Sequence, residues 1–367
     1  MKKTIICLMV ALCLLFLLPG CDNGRGTDEA PDPAGAGQLL RSALALTCTI
    51  EDEDGDPYAT SYGSAIILKV VDDGAYVLTN YHVVYDPHAE GSVCRRITAA
   101  AYGQEEAEGM PAEYVWHAAS YDLAILYVPS LLTRFPGATA AVIDATRTAG
   151  VGERIFAIGN TQGQGLNVRD GLISRDAESV LLPVSYQFAD ITLGLVRFDA
   201  SVNEGDSGGA IFSKDGKLLG LINARRLDGG GGYAIPSATL APLIDEVLTA
   251  SPLPGIADQL VLGASFYENG LRTIYDTMSN TLITEYDIVV DKIAAGSIAS
   301  VFLQEGDALL GVRCNNEAEV VFDRLYILEN ILLSFEAEDR LTWRYRRNGE
   351  EKTYLFTVSA AHIENIL

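Results

Sequence analysis

One serine in the sequence stands where acyl-transfer chemistry could use it. Residues 203–212 read NEGDSGGAIF, and the centre, Gly205-Asp206-Ser207-Gly208-Gly209, sets Ser207 on a turn built from three glycines. Glycine reaches backbone angles closed to residues with a β-carbon, so such a turn can aim several N–H groups at one point. A hydroxyl presented there can attack an acyl carbon while the neighbouring N–H groups hold the developing oxyanion. The bland interpretation is a glycine-rich turn, and partners elsewhere in the chain decide between the two.

The serine needs a base, and the chain offers His82, His88, His117 and His362. His88 sits in a polar loop containing proline, and His362 lies near the C-terminus. His82 closes the strand-like run Val77-Leu78-Thr79-Asn80-Tyr81-His82-Val83-Val84. An isolated histidine at a strand end is more often satisfied by backbone groups than used in catalysis. A base also needs a carboxylate that fixes its tautomer and stabilises the imidazolium. Asp122 opens the apolar run Leu123-Ala124-Ile125-Leu126-Tyr127-Val128, a place where an acid would be half-buried; Asp86 is the spare.

The elements that must position these residues are short. Ala43–Glu51, Ser61–Val71, Gly74–Val84, Ile97–Tyr102, Glu113–His117 and Leu123–Val128 are predicted strands, with Asp72-Asp73-Gly74 as a hairpin signal. A second set follows at Arg154–Ile158, Gly171–Ser174, Ser185–Phe188, Gly194–Asp199, Ala210–Phe212, Leu218–Ala224 and Gly232–Ile235. Many short strands without strand–helix alternation point to two β-barrels and away from a parallel-sheet hydrolase. Leu240, Leu243, Ile244, Val247 and Leu248 repeat at helical spacing, with Ser237 as a possible cap and Pro242 near the start. Residues 251–256 read as a linker to a smaller α+β module at 257–361. There, Asp287–Val290 is a predicted strand, Ala294–Phe302 a helix, Ala308–Val312 a strand, and 323–335 a helix capped by Asp323. Asn348-Gly349 joins two alternating arms as a hairpin.

Composition bounds the partners. Hydrophobic residues make up 49% and charged residues 20%, a globular balance. The formal net charge of −23 argues against nucleic acid and anionic lipid as surface ligands. Lys2-Lys3, the apolar run 4–18 and Leu18-Pro19-Gly20-Cys21 form a signal-peptide pattern ending like a bacterial lipobox, with Cys21 as the lipid-modified residue. An uncleaved anchor is the alternative; both place the rest outside the cytoplasm and tethered to a membrane. Residues 22–40 read as a flexible tether. Cys48, Cys94 and Cys314 remain, and Cys48–Cys94 is a candidate disulfide in an oxidising compartment. The sequence has no C-x-x-C pair or His/Cys cluster, so neither a metal nor another cofactor is expected.

Together these residues resemble the HtrA (Deg) family of trypsin-like serine proteases. The matching blocks are Gly63-Ser64-Ala65-Ile66-Ile67 with Leu78–Val84, Asp122–Leu126, Ala157-Ile158-Gly159-Asn160, Phe198–Asn203 running into Gly205–Gly209, Gly220–Ala224 and Gly232–Ser237. The resemblance spans about residues 42–250 and implies an all-β double six-stranded barrel over 41–250. Asp287–Val290, Ala294–Ala299 and Leu303–Leu310 make 257–361 resemble the PDZ domain that follows the protease in this family.

The resemblance implies roles. Ser207 is the nucleophile, His82 the base and Asp122 its orienter, with the N–H groups of Gly205 and Ser207 as the oxyanion hole. Ile222, Asn223 and Ala224 would pair with the substrate backbone, and Ser201, Val202, Tyr233 and Ile235 would wall an uncharged specificity pocket suited to small or medium aliphatic residues. Leu262, Gly263 and Ala264 would bind a peptide carboxylate in the PDZ domain. A homotrimer would use Leu39–Leu46. The implied function is a membrane-tethered endopeptidase that removes misfolded envelope proteins. A PDZ-containing chaperone or sensor with little proteolysis is the alternative. One residue departs from the pattern: Asp206 stands where the family usually has asparagine. In digestive trypsin-like enzymes, an N-terminus freed by zymogen cleavage pairs with that acid, a partner that a lipidated N-terminus far upstream would not supply.

Overall fold

The computed structural model describes residues 33–365 apart from 53, 90–91, 106–107, 144–148, 183–190, 228, 250–257, 277–280 and 333. The leader, Cys21, the linker and the predicted strand at 185–188 lie outside the described residues. Among the described residues no helix is long and apolar enough to cross a membrane.

The first barrel takes seven strands: β1 (Ala43–Glu51), β2 (Pro57–Val71), β3 (Gly74–Thr79), β4 (Arg96–Ala100), β5 (Met110–Pro111), β6 (Glu113–Ala118) and β7 (Leu123–Val128), in the order β5-β4-β1-β2-β3-β7-β6. The second takes β8 (Val142–Ile143), β9 (Arg154–Gly159), β10 (Asn167–Leu182), β11 (Ile191–Phe198), β12 (Ala210–Ser213), β13 (Lys217–Arg225) and β14 (Gly232–Pro236). Six of these close into a ring through the β12–β13 pairing, and β8 adds a short parallel strand to β13.

Period-two alternation decides which core each residue joins. On β3, Val77 points into the first barrel with Leu44, Leu46 and Ile67, whereas Leu78 points out of it. Leu78, Ile66 and Ile125 meet Ile158, Phe212 and Leu221 of the second barrel in one shared core. A one-turn helix, α3 (Leu131–Arg134), follows β7, and helix α4 (Ser237–Thr249) docks Leu240, Leu243 and Val247 on the same core, with Pro242 inside the helix.

Several expectations change. The run ending at Val84 leaves the sheet at Thr79, and Tyr81–Val84 forms a one-turn helix, α2, so His82 is helical rather than a strand end. The side chain of Asn80, at the break, is committed to the Asp122 carbonyl and the Gly208 N–H. The end of the expected tether is helical, as α1 (Pro33–Leu39). Six of the eight residues of Leu39–Leu46, all but Leu39 and Arg41, are buried within the chain itself, so most of the segment assigned to trimer contacts has no side chain to offer a partner. Cys48 and Cys94 are buried as free thiols, the Cys48 thiol hydrogen-bonded to Cys94, and no disulfide joins them. Cys94 Sγ also donates to the Tyr85 carbonyl at 3.9 Å, so the thiols have partners without a bridge.

The C-terminal module is a five-strand path, β16 (Ala264–Asp276), β17 (Thr281–Ile293), β18 (Ala308–Cys314), β20 (Arg340–Arg347) and β21 (Glu350–Thr357), with β19 (Val320–Val321) beside β18. A separate pair, β15 (Asp258–Leu260) and β22 (Ile363–Asn365), ties its two ends together. The predicted helix at 294–302 is helical only over Ala299–Phe302 (α5), because Gly296 turns left-handed at φ +78°. Helix α6 (Leu325–Leu332) has its Leu325 N–H bound by Glu268 of β16 rather than by Asp323. The Asn348-Gly349 hairpin has both residues at positive φ, 52° and 82°, as a type I′ turn requires. Trp343 is fully buried at the centre, against Phe302, Phe322 and Phe335. Trp343→Ala is expected to cost about 3–5 kcal/mol in urea unfolding of this module; a loss below about 1 kcal/mol would contradict this packing.

Candidate active site

The site lies where the barrels touch. Asp122 follows a short 3-10 turn and adopts a left-handed φ of 53°, which turns its carboxylate back toward α2. That carboxylate is 1% exposed and fully engaged. Oδ1 accepts the backbone N–H of His82 at 2.9 Å, and Oδ2 accepts His82 Nδ1 and Asn223 Nδ2, both at 2.7 Å. Burial works against the charged form of His82, but the charge and hydrogen bond of Asp122 outweigh it, and the imidazole pKa is raised. The ring keeps a third of its surface open to solvent.

Ser207 sits across the seam. Its carbonyl accepts the Ser64 N–H at 2.8 Å and its hydroxyl donates to the Asn223 carbonyl at 3.2 Å. Among the described residues the hydroxyl makes no bond to His82, a spacing common in sites without substrate. The turn before it is held from three sides. Ser64 Oγ donates to the Gly205 carbonyl at 2.8 Å, Gly208 N–H donates to Asn80 Oδ1 at 2.7 Å, and the Glu204 carbonyl accepts the Gln162 N–H at 2.6 Å. A trans peptide sets its N–H opposite its C=O, so binding the Glu204 carbonyl to Gln162 turns the Gly205 N–H the other way. Among the described residues neither the Gly205 nor the Ser207 N–H has a hydrogen-bond acceptor, which leaves two donors for an oxyanion. Gly205 has φ +89°, and a β-carbon there would strike the Asn160 carbonyl.

Three residues at the site escaped the sequence reasoning or were given other work. Asn80 and Ser64 cross-link the barrels, and nothing in their local sequence announces it. Asn223, expected only to meet substrate, lies at a β-bulge between Ile222 and Ala224 in the β13–β14 pairing. A bulge re-aims a side chain, and here the amide reaches Asp122. Ile222 drops out as a substrate-pairing residue, because its N–H and C=O are taken by Gly209 and Gly208. Ile235 is 1% exposed and belongs to the shared core rather than to a pocket wall, whereas Ser201 is exposed and Val202 and Tyr233 are half-buried. Asp86, the spare acid, binds the N–H groups of Glu51 and His88. His117 stacks on Tyr81 and bonds Tyr114 through Nδ1, and His362 closes a turn with Ser359.

Asp206 is wholly buried and bound by Arg169 of β10. Nη1 reaches Oδ2 and Nη2 reaches Oδ1, each at 2.7 Å, while Thr161 Oγ1 and the Asn203 N–H add bonds of 2.8 Å.

The trypsin-like peptidase domain model matches residues 63–221. Over 345 residues the sequence is 26% identical to the serine protease Do-like HtrA of Bacillus subtilis strain 168, covering 89% of this chain and 70% of the relative. It is 30% identical over 192 residues to the periplasmic serine endoprotease DegP of Escherichia coli strain K12, covering 51% of this chain and 35% of that protein. The chain is a homologue of the HtrA serine proteases. Among solved structures, the HtrA-type protease AlgW with a tripeptide superposes with a TM-score of 0.59 at 22% identity, covering 90% of this chain and 97% of that one. That likeness shows a shared fold, and with the homology it makes the chain a serine endopeptidase of trypsin-like fold.

In the C-terminal module, Leu262, Gly263 and Ala264 line a groove of about 400 Å³ between β16 and α6, with Leu325, Leu328 and Glu329 opposite. Tyr121 and Leu193 of the barrels close one side, and Gln259 donates to the Tyr121 hydroxyl at 3.0 Å. The carbonyls of Leu262 and Gly263 are taken by the N–H groups of Ala299 and Ala294. Burial, with Glu268 nearby, raises the Glu329 carboxyl to about 8.

The raised pKa of His82 sets a pH dependence. If His82 is the general base it works unprotonated, so kcat/KM is expected to rise as pH climbs through the pKa of the free enzyme, with the acid limb above the ordinary value of about 6.5. Asp122→Asn removes both raising influences and leaves the lowering effect of burial. Its limb moves below that of wild type, and kcat falls by about 10⁴-fold. A limb that stays in place in the variant would show that Asp122 does not govern the histidine.

Proposed function

We propose that Ser207, His82 and Asp122 act as nucleophile, base and orienter. The observation that carries this is the Asp122 carboxylate, buried, bound to both the ring and the backbone of His82, and joined through Asn223 to Ser207, whose turn has two N–H groups without acceptors among the described residues. Ser207 Oγ attacks the peptide carbonyl and passes its proton to His82 Nε2. Gly205 and Ser207 N–H groups hold the oxyanion, and His82 then protonates the leaving amine. Water, deprotonated by the same imidazole, releases the acyl group. Asp122 stabilises the imidazolium and takes no proton.

The substrate lies along Asn223 and Ala224 and places its side chain against Ser201, Val202 and Tyr233. Ser201, Val202 and Tyr233 carry no formal charge, and the buried Asp206 is paired with Arg169, so small and medium aliphatic residues are preferred over lysine and arginine. The 257–361 module acts as a PDZ domain, receiving a peptide C-terminus or exposed segment as an added strand along β16. The protein works outside the cytoplasm, held at the membrane through Cys21 or an uncleaved anchor, and clears damaged envelope proteins. Support for that location comes from the leader pattern and from the E. coli relative, which is named a periplasmic endoprotease.

Casein turnover and fluorophosphonate labelling test the assignment. Wild type is expected to cleave and to be labelled, and Ser207→Ala to do neither. Equal inertness of both, with unfolded clients still bound, would favour the chaperone alternative. A peptide library is expected to give cleavage after alanine, valine or leucine; a dominant preference for lysine or arginine would overturn the uncharged pocket.

A further inference from the structure

The Asp206 carboxylate sits beside the nucleophile with no exposed surface, and a buried ion is tolerated only when it is paired and hydrogen-bonded. Arg169 meets it as a planar fork, two parallel bonds of 2.7 Å that a single ammonium could not make. The same guanidinium donates through Nη1 to the Ser201 carbonyl at 2.6 Å. Arg169 is fixed in turn by its strand, where it pairs with Ala157 of β9 in the wall of the second barrel.

The bonds of Asp206 run to both ends of the oxyanion turn. Its own N–H goes to the Asn203 carbonyl, its Oδ2 takes the Asn203 N–H, and its carbonyl receives the Gly209 N–H. Oδ1 takes the Thr161 hydroxyl, and Thr161 adjoins Gln162, whose N–H holds the Glu204 carbonyl away from the site. Residues 203–209 therefore have their receptive shape while the carboxylate stays in place, and the carboxylate stays in place while a cation faces it. Without one, the buried carboxylate would be an uncompensated charge and Asp206 would have to leave its pocket, which would disturb the peptide that presents the Gly205 N–H.

We propose that Arg169 is a positioning residue for the oxyanion hole: an internal cation that locks the turn around Ser207 and joins it to the pocket wall at Ser201. This rests on the triad assignment above. The lock is complete in the folded chain and uses no newly cut N-terminus.

The test measures fluorophosphonate labelling rates and kcat and KM on a peptide amide, using the full chain. Arg169→Met keeps the apolar stem and removes the charge; it is expected to lower kcat by about 10²–10³-fold, the scale of losing one oxyanion donor. Arg169→Lys keeps the charge without the fork and falls between Arg169→Met and wild type. The double variant R169M/D206N replaces the pair by neutral residues of similar shape, so no buried charge is orphaned; it is expected to recover at least about tenfold over R169M. R169M within about threefold of wild type would overturn the proposal. So would a double variant with a native circular dichroism spectrum that is no faster than the single one. If R169M fails to fold, R169K carries the comparison: R169K as fast as wild type overturns the proposal. If wild type itself is not labelled, the serine assignment falls and this proposal with it; labelling of wild type with an indifferent R169M sinks only the role of Arg169.

Discussion

The site depends on the seam between two barrels. Ser64 gives its N–H to the Ser207 carbonyl and its hydroxyl to the Gly205 carbonyl, and Asn80 accepts from Gly208 while donating to the Asp122 carbonyl. Each bond crosses from an element of one barrel to the other or to the residue that orients the base. Ser64, Asn80 and Asp122 are buried, so leaving one of their polar groups unpaired would cost about 1–3 kcal/mol, and the barrels gain by docking in one register only. The apolar contact of Ile66, Leu78 and Ile125 with Ile158, Phe212 and Leu221 supplies the non-directional attraction, and the polar seam supplies the alignment. Placing His82 and Ser207 on opposite lips thus follows from packing before any chemistry is considered.

Much of this was legible in the sequence because it is local. Strand alternation gave the barrels, and β1 and β7 fall on the residues that the pattern marked. The Asn348-Gly349 turn and the Gly205–Gly209 string are short-range signals whose geometry is forced by glycine. The illegible parts are long-range. Asn223 acts through a bulge that appears only once β13 pairs with β14, and the α2 turn at His82 looks like continued strand until Asn80 finds partners 42 and 128 residues away. Arg169 lies 37 residues before Asp206, and nothing near either one announces the other.

The C-terminal groove shows the same separation. Its apolar lining follows from the helical spacing of Leu325, Leu328 and Leu332, which the sequence displays. Its closure by Tyr121 and Leu193 does not, because it arises from how the module rests on the barrels. Tyr121 is the neighbour of Asp122, so one short stretch of chain forms part of the groove wall and also supplies the acid under His82.

The fork between Arg169 and Asp206 bears on how such an enzyme is held in check. A protease matured by cutting carries its off state in its covalent structure and can be stored until a second enzyme acts. If Arg169 plays the part proposed for it, the charge partner is a side chain on the chain's own barrel wall and arrives with the fold, so no cut is needed to supply it. On that proposal, restraint would lie with where the folded protein is kept and with which unfolded segments can thread its seam. For a cell, that turns a question of timing into one of address.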